Sequence, residues 1–135
     1  MNANQLIIEQ LSPFDVPTTV EKLIEVAIQK EWQNPATHNL QQSLAKSGKD
    51  VKPVQVVEIC KPDYSGNMLE KSDERIVSVM MPCRISVYQK EDGKTYVALI
   101  NMAAMADGLP LSAAKAIHEA SDESFDIVKA VIGPF

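Results

Sequence analysis

Cys83-Arg84-Ile85-Ser86-Val87-Tyr88, preceded by Met80-Met81-Pro82 and followed by Asp92-Gly93, is the stretch on which the fold turns. Its apolar and polar residues alternate, as a half-buried strand requires. Asp-Gly is a strong signal for a two-residue hairpin turn, whose central positions both need φ > 0. Pairing Glu91 with Lys94 across that turn sets Val87 opposite Ala98, Ile85 opposite Ile100 and Cys83 opposite Met102. On this register Cys83, Ile85, Val87, Ala98 and Ile100 share one face, expected to be core. Arg84, Ser86, Tyr88, Val97, Leu99 and Asn101 share the other. That second face is half apolar and half polar, the composition of a contact surface.

Upstream of this ribbon, Leu6-Ile7-Ile8 with Phe14 and Val16 suggests a first strand within residues 5 to 16. Pro17-Thr18 opens a helix, with Glu21 three residues after Thr18 in capping-box spacing. Val20, Leu23, Ile24, Ala27 and Ile28 form its apolar stripe, and it is expected to end near Trp32. A short strand or loop and a short helix around Leu40 to Lys46 follow, stopped by Gly48. Val54 to Cys60 reads as a buried strand. Asp63 is placed to cap a short helix running through Met68, Leu69 and Lys71. The apolar turn Ile76 to Met81 then leads into Pro82.

Downstream, Ser112 caps a helix of about 20 residues, judged from the run of its stripe. Ala113, Ala116, Ile117, Ala120, Ser124, Ile127, Val128 and Val131 fall on one face, and Gly133-Pro134 stops it. Ser121-Asp122 is a point where it can break in two. The order of elements predicts a single domain over residues 1–135, an α+β two-layer sandwich with helices on one face of a mostly antiparallel sheet.

Composition sets the function classes. The chain has 135 residues, enough to bury a core without metals or disulfides. A net charge of −5, with no Lys/Arg cluster, argues against nucleic acid. Only 5% of residues are aromatic, too few for a base-stacking platform. No run approaches the apolar length of a membrane span, and the first nine residues lack a basic region before a long apolar run. A cytoplasmic protein with reduced thiols is therefore expected, without a membrane or nucleic-acid partner.

Three segments carry a resemblance: Thr19-Val20-Glu21-Lys22-Leu23, Val57-Glu58-Ile59-Cys60-Lys61-Pro62, and Met81-Pro82-Cys83-Arg84-Ile85-Ser86-Val87-Tyr88. Together they resemble the domain of unknown function 302 family over about Phe14 to Asn101. The resemblance implies a curved antiparallel sheet with two main helices on one side, akin to the TATA-binding-protein fold. It implies no activity. Where the family carries a Gly-aromatic step after the first helix, this chain has Glu31-Trp32, and Gln33 to Lys52 matches poorly.

Cys60 and Cys83 are the candidates for catalysis, as a thiolate nucleophile or a redox pair. Against this, free cysteine is commonly a small buried hydrophobe. A catalytic thiol also needs a histidine in reach, and His38 and His118 lie at no motif spacing. Met80, Met81, Met102 and Met105 flank Cys83, and thioether with thiolate suits a soft metal, although methionine more commonly fills cores. Arg84, Tyr88 and Glu58 are the candidates for ligand binding: Arg84 and Tyr88 point to one side of a strand about 13 Å apart. They suit a small anionic ligand, while Val97 and Leu99 beside them suit a homodimer surface. No phosphate loop, nucleophile elbow or metalloprotease helix is present. No cofactor and no metal site are expected. A non-catalytic protein that binds a ligand or dimerises through the open sheet face is the favoured expectation. A thiol-dependent enzyme or redox protein is the rival, and soft-metal binding a weaker one.

Overall fold

A computed structural model of the chain describes residues 6–109 and 111–135, the side chains of Asp107, Leu111 and Ser112 aside. Five strands, β1 (Ile7–Ser12), β2 (Thr37–Asn39), β3 (Val54–Ile59), β4 (Cys83–Gln89) and β5 (Thr95–Ile100), form one sheet in the order β1-β5-β4-β3-β2. Every pairing is antiparallel. Four α-helices accompany it: α1 (Val16–Gln29), α2 (Leu40–Ala45), α3 (Pro62–Leu69) and α4 (Leu111–Ile132). Two 3₁₀ helices, Ser72–Met80 and Met102–Gly108, flank the β4–β5 ribbon.

The predicted α+β sandwich is the observed architecture. Ile8, Val57, Ile59, Ile85, Val87, Val97 and Leu99 alternate along their strands onto one buried face. Val20, Leu23 and Ala27 of α1 and Ile117, Ala120, Ile127 and Val128 of α4 close over it. Each fully buried Leu, Ile or Val in this core contributes about 1.5–3 kcal/mol of transfer free energy. No helix among the described residues is long and apolar enough to cross a membrane.

The ribbon register differs from the expected one by a single residue. Ile85 faces Leu99 and Val87 faces Val97. The turn is a three-residue loop, Glu91-Asp92-Gly93, closed by Lys90 N–H to Lys94 O at 3.1 Å and Gly93 N–H to Lys90 O at 3.0 Å. Gly93 takes φ +79°, whereas Asp92 stays at negative φ, so the two-residue turn with two positive φ values does not form. One residue of slip inverts every side chain of β5. Val97 and Leu99 are therefore core, and Ala98 and Ile100 join Arg84, Ser86 and Tyr88 on the uncovered face.

Other differences are local. Asp15, not Thr18, caps α1: its Oδ1 accepts the Thr18 N–H at 2.9 Å. Phe14 and Val16 lie beyond β1, and Ile28 is 58% exposed rather than part of the stripe. α1 stops at Gln29, three residues before Trp32. Glu31 N–H bonds Ile28 O and Trp32 N–H bonds Ala27 O, a Schellman closure with Glu31 at φ +66°. α3 begins at Pro62, so Asp63 stands in its first turn and not at its cap. α4 runs unbroken through Ser121-Asp122. The cap expected at Ser112 lies outside the described side chains.

Candidate functional site

β3 ends where β4 begins, and the register sets Ile59 opposite Cys83. Cys60, one residue on, pairs with Gln33 through two backbone hydrogen bonds. Lys61-Pro62 then turns the chain into α3, and the 3₁₀ helix Ser72–Met80 returns it through a cis Met81-Pro82 bond to Cys83. Both thiols are thereby carried to one end of the sheet. They line an inner cavity of about 30 Å³, together with Trp32, Tyr64, Met68, Met80, Met81 and Met102. Ile117 and Ala120 of α4 supply another part of its wall.

An outer cavity of about 170 Å³ adjoins it and shares Ile59, Met80, Pro82, Cys83 and Met102. Arg84, Ile100 and Met105 also line this outer space. The two together form a cleft walled largely by sulfur and hydrocarbon. Of the six methionines in the chain, five line it, which is why its surface is soft and polarizable.

The Cys83 thiol donates to Met102 Sδ at 3.8 Å, and the Cys60 thiol to Ser65 Oγ at 3.5 Å. Burial, and then the neighbouring Cys60, push the Cys83 thiol up to about 11. At neutral pH it is a thiol, not a thiolate, and a poor nucleophile. Neither histidine lines the cleft. His38 sits on β2 with its Nε2 at 2.8 Å from Glu58 Oε2, and His118 is exposed on α4. The cysteines thus come together, but without the base that a nucleophilic mechanism needs.

Behind the cleft, Glu123 of α4 collects three donors. Trp32 Nε1 and Lys61 Nζ reach its Oε1 at 2.8 Å each, and the Tyr64 hydroxyl reaches Oε2 at 2.5 Å. Burial works to raise this carboxyl, but the bonds from Lys61, Tyr64 and Trp32 outweigh it and hold it below its ordinary value. The same bond, with burial, pushes Tyr64 up to about 12. The network ties the end of α1, the start of α3 and the middle of α4 into one frame around the cavity. Sequence reasoning missed all four residues. The partners are 59 to 91 positions apart, so no local spacing announces them.

The three ligand-binding candidates lie on the uncovered face but do not act together. Glu58 is engaged by His38, although Arg84 is its partner position across the sheet. The Tyr88 hydroxyl donates to Glu9, which also accepts from Lys90 at 2.7 Å. Burial and Glu9 both raise Tyr88, and its ring stacks on Tyr96 at 6.1 Å. An anion brought to Tyr88 would meet the Glu9 carboxylate first. Arg84 is exposed and makes no hydrogen bond or ion pair among the described residues.

The model of the domain of unknown function DUF302 matches residues 8–131. The match reaches beyond the expected Phe14 to Asn101 and takes in most of β1 and most of α4. No curated protein matches the chain. A crystal structure of an uncharacterized conserved DUF302 protein from Bacillus stearothermophilus superposes with a TM-score of 0.84 at 16% identity. The alignment covers 94% of this chain and 98% of that one, and at this identity the likeness is one of fold.

Proposed function

This chain belongs to the DUF302 family, a domain of unknown function, and on that premise we propose that it is a non-catalytic protein binding a small apolar ligand in the sulfur-lined cleft. The observation that carries this reading is the lining itself. A concave, mostly apolar space with one unpaired cation beside it, Arg84, has the composition of a small-molecule site. Arg84 gives the ligand's anionic group, where it has one, a bidentate donor. The protonated Cys83 thiol and the absence of a histidine from the lining favour binding over thiol catalysis.

Titration with anilinonaphthalene sulfonate, a small apolar anion, tests the proposal through the emission of Trp32, the one tryptophan of the chain. Saturable quenching that weakens in Arg84→Glu and persists in Leu11→Ser is the expected result. Quenching lost in Leu11→Ser alone would move the site to the open sheet face. No saturable binding at all would remove it.

A second reading, association with a second copy, is favoured by one observation. Ile7 and Ile100 are neighbours on the uncovered face, 64% and 51% exposed, with Leu11 on the same strand face at 51%. The Ile7–Ile100 patch, with Glu9 between it and Leu11, is its own complement across a two-fold axis. Sedimentation velocity of the wild type against Ile100→Asp tests it: a dimer that the substitution splits supports the reading, and a wild-type monomer ends it.

A further inference from the structure

We infer that the inner cavity is a binding site for one monovalent soft metal ion, cuprous copper by chemical class, held by the sulfurs of Cys60, Cys83 and Met102. This rests on the cleft reading above and names a ligand class for its inner end.

Donor chemistry comes first. Thiolate and thioether sulfur select copper(I) over harder ions. The cavity wall carries two thiols and the thioethers of Met68, Met80, Met81 and Met102. Methionine used only as filler closes gaps, yet here space remains among the sulfurs.

The spacing of Cys83 and Met102 and the size of the cavity agree with a sulfur-bound ion. Cys83 Sγ and Met102 Sδ are 3.8 Å apart. Two sulfurs at that separation, each at a typical metal–sulfur distance of about 2.3 Å, subtend roughly 110° at a common ion. A space of about 30 Å³ admits a bare ion with little water. Calcium and magnesium seek oxygen, and magnesium keeps several of its waters, so neither suits it. Zinc prefers four nitrogen, oxygen or thiolate ligands. Among the described residues, no group of three or more His, Cys, Asp or Glu is placed to hold a metal. What remains is a site of two thiolates and thioether.

Binding is a ligand exchange. Each coordinating thiol gives its proton to solvent as its sulfur bonds the ion, Met102 donates a lone pair, and copper stays monovalent. No electron moves.

The test uses the reduced full-length chain under anaerobic conditions, competing with bicinchoninate for copper(I), with native mass spectrometry to count ions. The expected result is one copper per chain, with affinity reduced roughly 10–100-fold or more in Cys83→Ser and in Met102→Leu. Met102→Leu nearly conserves volume, so it keeps the fold and isolates the thioether. Copper retained equally by Cys83→Ser would overturn the inference. If anilinonaphthalene sulfonate binds and copper is surrendered to the chelator, the metal inference fails and the cleft reading stands. Failure of both ligands overturns both, and copper without the dye supports the metal site against an apolar ligand.

Discussion

The Cys83 Sγ lies 3.8 Å from the Sδ of Met102 inside the cleft, and it is burial there that sets the reactivity expected of the thiol. With the thiol raised to about 11 by burial and by Cys60, about one molecule in ten thousand carries the thiolate at neutral pH. Alkylation of Cys83 by iodoacetamide in the folded protein should therefore be slow, followed by mass spectrometry of quenched samples. Its rate should climb about tenfold for each pH unit until it levels near the raised value. Rapid labelling at neutral pH would revive the thiol-enzyme reading.

Glu123 anchors the frame around the cleft, so Glu123→Gln should destabilise the protein. Three hydrogen bonds to a carboxylate are replaced by weaker ones, at a cost of about 1.5–3 kcal/mol. The sign with pH is defined. The carboxyl is held below its ordinary value, so its stabilising contribution is present above the unfolded value and is lost as pH falls through the folded one. Urea unfolding should show the gap between wild type and Glu123→Gln narrowing from neutral pH toward acid. A gap that stays constant would remove Glu123 as the anchor.

Glu31 holds φ +66° at the Schellman position after α1, where a side chain is strained and glycine is not. Glu31→Gly should stabilise the fold by about 1 kcal/mol, read as a higher urea midpoint at unchanged slope. The side chain is exposed, so little packing is lost. A lower midpoint would mean that Glu31 makes up for its strain elsewhere.

Gly93 closes the β4–β5 loop at φ +79°, and a Cβ there would meet nothing within 4 Å. Gly93→Ala therefore isolates the backbone cost, about 1–2 kcal/mol of destabilisation. A neutral effect would argue that the loop adopts another turn.

These two positions show where local reading succeeds and where it stops. Strand and helix periodicity placed β3, β4, α1 and α4 within a few residues, because each buries one face and its apolar spacing says so. The family's Gly-aromatic step was visible as Glu31-Trp32, and its meaning, a left-handed helix end, needed the backbone. Register was not legible. Asp92-Gly93 supports both a two-residue turn and the last two positions of a three-residue loop, and the two differ by one slip. Hydrophobic pattern did not arbitrate, since Val97-Ala98-Leu99-Ile100 is apolar at every position. The site was half legible. Cys60 and Cys83 were read as a pair, with the methionines near Cys83. Met68, Trp32, Lys61, Tyr64 and Glu123 join them only through contacts between distant segments.

The cleft itself is tested most directly by methyl NMR of protein carrying isotope-labelled methionine. Five methyl groups, those of Met68, Met80, Met81, Met102 and Met105, report on the cleft. Addition of anilinonaphthalene sulfonate should shift the Met80 and Met102 methyls most, since these residues line both cavities. Saturable binding of the dye with Met80 and Met102 unmoved would put the ligand elsewhere and contradict the account.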